Sequence, residues 1–273
     1  MTDRDNGLAL EALAEQLRNA YNGDLLPPIS DDPSLNTPDD AYAIQSINTS
    51  YWQKTGRRIT GRKIGLTSKV VQSQLKVDQP DFGVLFADME YSDYDEIPIE
   101  TLQQPRIEAE IAFILKKDLI NPNPSLAEIV SAIEFALPAL EIVSSRIADW
   151  KITFEDTVAD NASAGAYILG GAPRRIDELD LFGCRMILKK GDEIVSEGDG
   201  RSCLGNPLNA VRWLANKSVS VGAPLKAGEV VLSGALGAMT SVQAGDHFSA
   251  FIDGLGEVSA HFTHEVGHGK DET

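Results

Sequence analysis

Cysteine is almost missing from this chain. Cys184 and Cys203 are the only two among 273 residues, and they lack metal-ligand spacing. That argues against a disulfide framework and for a reducing compartment. Histidine is as scarce. His247, His261, His264 and His268 all lie close to the C-terminal end, and no Ser-His-Asp or Cys-His constellation is visible. Basic residues are outnumbered 24 to 41, for a net charge of -17 and a pI near 4.6. A nucleic-acid or anionic-membrane partner needs a basic face, so neither is expected. An anionic substrate stays open, because a metal and a few local cations can dominate a pocket. Long apolar runs are missing too. The N-terminal stretch mixes charges with Leu and Ala, so no signal peptide and no membrane span are expected, and the default location is cytoplasmic. There is no phosphate loop, dinucleotide fingerprint, internal repeat or low-complexity tract.

What is present is an ordinary globular composition, 42% hydrophobic and 24% charged. Leu8 to Tyr21 carries Leu and Ala at helical spacing. Thr37-Pro38-Asp39-Asp40 opens a second helix running to about Lys54, with Gly56 as its stop. Residues 1–56 therefore form a helical front section. Beyond it the texture turns to short strands: Ile59 to Leu66, Ile107 to Leu115, Pro138 to Val143, Ala166 to Leu169, Val230 to Leu232, Phe248 to Ile252 and Val258 to Phe262. Met186 to Lys190 and Glu193 to Glu197 flank Gly191-Asp192 as a hairpin. Between the strands lie short helices, near Ser68 to Leu75, from the Ser125–Glu128 capping box to about Phe135, and over Pro207 to Ala215. Asp78 to Gly83 and Asp160 to Gly165 read as turn and loop. This pattern predicts an α+β fold with a rolled mixed sheet, sandwich-like or barrel-like, rather than a doubly wound parallel one. The expected division is 1–56 helical, 57–265 β-rich and metal-binding, and 266–273 a polar tail, which is loose from His264.

Three carboxylates stand out. Glu108 and Glu110 are two residues apart in an apolar strand and so point to one face. Glu141 lies in the almost wholly apolar stretch Phe135 to Val143, where a carboxylate is buried and needs a partner. Three converging carboxylates repel one another, and a hard dication, Mg²⁺ or Mn²⁺, relieves that. The plain alternatives are a solvent-facing edge for Glu108 and Glu110 and a salt bridge from Glu141 to Arg106 or Arg146.

Gly61-Arg62-Lys63-Ile64-Gly65-Leu66-Thr67 is either a basic strand edge or a segment that places Lys63 beside the metal as a proton donor or acceptor. Asp81, in Gln79-Pro80-Asp81-Phe82-Gly83, is turn chemistry or a loop acid-base group. Asp160-Asn161-Ala162-Ser163 is a polar turn or a set of hydrogen-bonding groups for a ligand. Ser233-Gly234-Ala235-Leu236-Gly237 is a glycine turn, too generic for a role.

Nearly end to end, the chain resembles the 2-keto-4-pentenoate (2-hydroxypenta-2,4-dienoate) hydratases, in the hydratase/decarboxylase branch of the fumarylacetoacetate hydrolase superfamily. The Lys63, Asp81 and Ser233–Gly237 segments carry the match, with Leu85 to Met89, Pro105 to Ala112, Leu137 to Glu141, Asp156 to Ser163 and Leu204 to Ala210. The resemblance implies a divalent metal on Glu108, Glu110 and Glu141. It implies proton transfer by Lys63 and Asp81, and substrate contacts from Leu66, Asp160 and Ser163. It also implies a small 2-hydroxydienoate substrate, a homo-oligomer, and a place in meta-cleavage of aromatic compounds. The nearest alternatives are a 4-oxalocrotonate decarboxylase of the same branch and a non-catalytic partner in a decarboxylase complex. A hydrolase with an upstream His-Glu pair is disfavoured, since no histidine precedes His247.

Overall fold

The structure, a computed structural model, describes residues 3–74 and 77–263. Two packed helices lead, α1 (Asp3–Ala20) and α2 (Pro38–Lys54). The second starts as its sequence dictates. Thr37 Oγ1 accepts the Asp40 N–H, and the Asp40 carboxylate accepts the Thr37 N–H at 3.0 Å. β1 (Ile59–Gly65), α3 (Lys69–Gln74), β2 (Asp81–Phe86), β3 (Glu90–Ser92), β4 (Glu96–Ile97) and the long β5 (Arg106–Leu115) follow. α4 (Leu126–Ala132) runs straight into β6 (Ile133–Val143), and α5 (Phe154–Ala159) precedes β7 (Ala164–Leu169). The chain ends with β8 (Arg185–Lys190), β9 (Glu193–Asp199), α6 (Pro207–Ser220), β10 (Val230–Leu232), β11 (Thr240–Ser241), β12 (His247–Ile252) and β13 (Gly256–Phe262).

The α+β expectation is borne out, with two mixed sheets. One has the order β2-β1-β10-β5-β6-β7-β3, with β11 added beside β5; the other is β4-β13-β12-β8-β9. β12 and β13 pack on β6, so the sheets enclose a shared core. The period of two along β5 then divides its residues. Ile107, Ala109, Ile111 and Phe113 enter that core, with Leu140 and Ile142 from β6. Ala112, Leu137 and Ala139 join a smaller apolar cluster on the opposite face, with Leu232 from β10. Glu108, Glu110 and Glu141 share the parity of this second set, so the register puts all three on one face.

Several boundaries differ from the expectation. The helix from Ser125 stops at Ala132, and its strand starts at Ile133, so Pro138 lies mid-strand rather than first. Proline is tolerated there because its neighbour β7 has already ended: the Pro138 carbonyl takes the Gly170 N–H at 2.9 Å, beyond the last β7 residue. Asp81-Phe82-Gly83 is no turn. It begins a fully buried strand antiparallel to β1. α6 continues to Ser220, and α5 falls where no helix was expected, opened by a Thr153–Asp156 capping box. His264, His268 and the polar tail lie outside the described residues.

Gln45 fixes the helical section to the sheet. Its buried side-chain amide donates to Phe82 O at 2.8 Å and Val158 O at 3.0 Å, tying α2 to β2 and α5. Gln45→Leu orphans two buried carbonyls and should cost about 2–4 kcal/mol in urea unfolding, with an unchanged m-value. A loss below about 0.5 kcal/mol would show that the tie is dispensable.

Candidate active site

Glu108 and Glu141 are direct cross-strand partners in the β5–β6 ladder. With Glu110 they offer ligand oxygens that all lie within 4.8 Å of one another. Glu110 Oε2 accepts the Gly234 N–H at 2.7 Å, while Glu110 Oε1 is buried and has no hydrogen-bond partner among the described residues. Lys63, three strands from Glu141 on β1, sets its ammonium 2.8 Å from Glu141 Oε1. Asp81 completes the group from β2, opposite Gly65. None of the five side chains belongs to a residue more than 6% exposed. The salt-bridge alternatives are not realised: Glu141 pairs with Lys63, Arg146 with Asp160, and the Arg106 guanidinium stacks on Trp150.

Four acids against one ammonium make a buried anionic pocket. Like charges 4 Å apart at an effective dielectric near 20 repel by about 4 kcal/mol per pair. Burial first, then Glu141, pushes the Glu108 carboxyl up to about 7. Burial, Glu141 and Glu108 push Glu110 well above the ordinary carboxyl range. Asp81 is raised to about 6 by burial, against the pull of Lys63. For Lys63, burial alone would favour the neutral amine, but Glu141, Asp81 and Glu108 together outweigh it and hold the ammonium above its usual range. An orphaned carboxylate oxygen among hard oxygen donors, with excess negative charge, fits a divalent cation.

Asp81 depends on a missing side chain. A Cβ on Gly65 would stand 2.1 Å from Asp81 Oδ1, so only glycine lets this carboxylate lie over β1. Among the described residues Asp81 Oδ1 has no hydrogen-bond partner. The Tyr42 ring stacks on Phe82 at 4.9 Å, and burial and Asp81 hold its phenol well above the usual range. Nothing in the helical spacing around Tyr42 marked it as a neighbour of the site.

The remaining expected residues divide. Ser163 is buried at the end of a tight turn in which Asn161, Ala162 and Ser163 all have φ between 51° and 54°. That turn docks on β2: the Asn161 side chain accepts the Val84 N–H at 2.7 Å and donates to Val84 O at 2.9 Å. Gly83, the register partner of Lys63, lies directly beneath it. Leu66 follows β1 in a left-handed conformation, φ 56°, and its carbonyl accepts from the Gln72 side chain. Asp160 has its carboxylate committed elsewhere. It takes Arg146 Nε at 2.6 Å and the Arg146 N–H at 3.0 Å, so it anchors the turn instead of facing the carboxylates. Sequence reasoning weighed Arg146 only against Glu141 and gave Asn161 no separate role.

A family model described as Fumarylacetoacetate (FAA) hydrolase C-terminal matches residues 59–263, and the chain belongs to that family. 2-keto-4-pentenoate hydratase 1 of Dechloromonas aromatica (strain RCB) is 53% identical to it over 256 residues, covering 93% of this chain and 97% of that protein. The 2-hydroxyhexa-2,4-dienoate hydratase of Comamonas testosteroni is 43% identical, covering 93% and 96%. Among solved structures, 4-oxalocrotonate decarboxylase from Pseudomonas putida G7, complexed with magnesium and adipate, superposes with a TM-score of 0.90 at 33% identity, covering 96% and 99%.

Removing one charge has opposite effects with and without metal. Glu110→Gln should raise the melting temperature of chelator-treated protein, by on the order of a few degrees, and abolish the rise that Mn²⁺ gives the unsubstituted protein. Glu108 has a folded value above its unfolded one, so its stabilising protonated form is complete below the ordinary carboxyl range and lost as pH rises through about 7. Metal-free protein should therefore melt lower at about pH 8 than at about pH 5.5, and metal-saturated protein should follow this less. Thermal scans at both pH values check the pair of effects.

Proposed function

We propose that this chain is a divalent-metal-dependent hydro-lyase that adds water to 2-hydroxypenta-2,4-dienoate, giving 4-hydroxy-2-oxopentanoate, in meta-cleavage breakdown of aromatic compounds. One observation carries this: a buried cluster of acids able to hold a metal, with the Lys63 ammonium beside it, in a chain half identical to hydratases over nearly its whole length. Glu108, Glu110 and Glu141 would hold Mg²⁺ or Mn²⁺. When bound, such an ion supplies Lewis-acid polarisation of the substrate's 2-oxygen.

The chain's own residues then have two proton movements to manage. First, C5 gains a proton as the 2-hydroxyl loses one, which makes C4 electrophilic. Next, water gives hydroxide to C4 and a proton to C3. Lys63, held as an ammonium among carboxylates, is the donor and the counter-charge for the substrate carboxylate. Asp81, with Oδ1 free of partners, is the acceptor for the water proton. Ser163 and the Leu66 corner bound the substrate, and Asp160 with Arg146 holds the Ser163 turn in place. Burial of the whole group keeps these charges strong.

The structural similarity to a decarboxylase supports one rival, 4-oxalocrotonate decarboxylation with the same ion and the same ligands. Assembly as a homo-oligomer, contact with a pathway decarboxylase, and a cytoplasmic location belong to the proposal as well. Among the described residues no helix is long and apolar enough to cross a membrane.

Ultraviolet monitoring of 2-hydroxypentadienoate loss tests it. Chelation should cut turnover by roughly 100-fold or more, with Mg²⁺ or Mn²⁺ restoring it, and Glu110→Gln should not be restored. Full activity without metal would refute the scheme. CO₂ release from 4-oxalocrotonate, with no consumption of the monocarboxylic dienol, would favour the decarboxylase.

A further inference from the structure

The two oxygens of Glu110 are not equivalent, and the turn after β10 makes the difference. Gly234 gives its N–H to Oε2 at 2.7 Å and leaves Oε1 buried, with no hydrogen-bond partner among the described residues. The preceding residue is clipped to both backbone polar groups of one β5 residue, Ile111. Ser233 N–H donates to Ile111 O at 3.0 Å, and Ile111 N–H donates to Ser233 Oγ at 3.2 Å. Behind the turn, the fully buried Cys203 thiol donates to Ser233 O at 2.8 Å. Gly234 itself has φ +101°, and a Cβ there would meet the Thr67 side chain at 2.4–3.0 Å. Thr67 O in turn accepts the Leu204 N–H at 3.1 Å. Segments following β1, preceding α6 and following β10 thus converge on one backbone N–H.

We propose that Gly234 is a positioning residue for Glu110, with Cys203 as its brace, and that together they reserve Oε1 for the metal. This rests on the metal proposal above. An amide on one carboxylate oxygen fixes the side-chain rotamer and favours the ionised form, while the other oxygen keeps both lone pairs for an ion. Glycine is required because the conformation is left-handed and because Thr67 fills the space a side chain would need. The buried thiol needs no redox or nucleophilic role. Burial and Glu110 push it far above the usual thiol range, so it stays protonated and serves as a donor to the Ser233 carbonyl.

The test measures Mn²⁺ affinity by calorimetry and the electron paramagnetic resonance of bound Mn²⁺, in full-length Gly234→Ala, Cys203→Ala and Cys203→Ser proteins. Circular dichroism melts of the metal-free forms control for folding. Gly234→Ala and Cys203→Ala should bind Mn²⁺ about 10- to 100-fold more weakly, with an altered spectrum. Cys203→Ser keeps a donor for the Ser233 carbonyl and should stay within about threefold of the unsubstituted affinity. A merely structural thiol would not separate Ser from Ala at equal melting temperature. If Gly234→Ala fails to fold, the two Cys203 variants decide. Unchanged affinity and spectrum in Cys203→Ala would overturn the proposal while leaving the metal proposal intact. Failure of the unsubstituted protein to bind Mn²⁺ would overturn both.

Discussion

Mutual repulsion among buried carboxylates is the constraint around which this molecule is organised. Glu108, Glu110, Glu141 and Asp81 lie on one face of one sheet with, among the described residues, a single ammonium beside them. Leaving such a group metal-free costs several kcal/mol, comparable to the whole stability of a domain. The fold tolerates it because each acid sits on a strand whose other face is secured elsewhere. Ile107, Ala109 and Ile111 alternate with the acids of β5 and bury themselves between the two sheets. The core holds the strand, and the strand holds the charges.

Strand register gives this arrangement its precision. Glu108 faces Glu141 across a ladder that runs uninterrupted from Arg106 to Ile114. Lys63 is brought in by the parallel pairing of β1 with β10, and Asp81 by the antiparallel pairing of β1 with β2. A slip of one residue anywhere would turn an acid into the apolar core. The loops are therefore assigned the lesser tasks. The Asn161–Ser163 turn closes over β2 through the Asn161 amide, and Arg146 locks it from behind through Asp160. A left-handed run of three non-glycine residues is costly backbone, and these ties over-determine it.

How much of this was legible depends on how local the cause was. Glu108 and Glu110 were readable because alternation fixes their face, and Glu141 because its neighbours are apolar. The α2 start was readable because its cap is written in adjacent residues. Asp81 looked like a turn acid, since Pro-Asp-x-Gly is turn chemistry and nothing nearby reveals that β1 recruits it as a strand. Pro138 suggested a strand start, because the early end of β7 that makes it harmless is a long-range fact. Asp160 looked available because its partner, Arg146, lies on another segment. The Ser233–Gly234 turn looked generic for the same reason: Thr67 and Cys203, which make its conformation specific, are distant in the chain.

The acidic surface and the proposed anionic substrate are compatible for reasons of range. At physiological ionic strength exposed charges are screened beyond roughly 8 Å, so the exposed share of the chain's net charge of -17 acts weakly on a ligand near the site. Inside, screening fails and only the nearest charges matter. With the proposed dication bound, it and Lys63 would bring three positive charges to four carboxylates, leaving the buried cluster with about one net negative charge before any ligand enters. The same arithmetic explains why Lys63 is placed against Glu141 and not on the surface. An ammonium in water would be a weak screened charge, whereas one enclosed by acids keeps its proton.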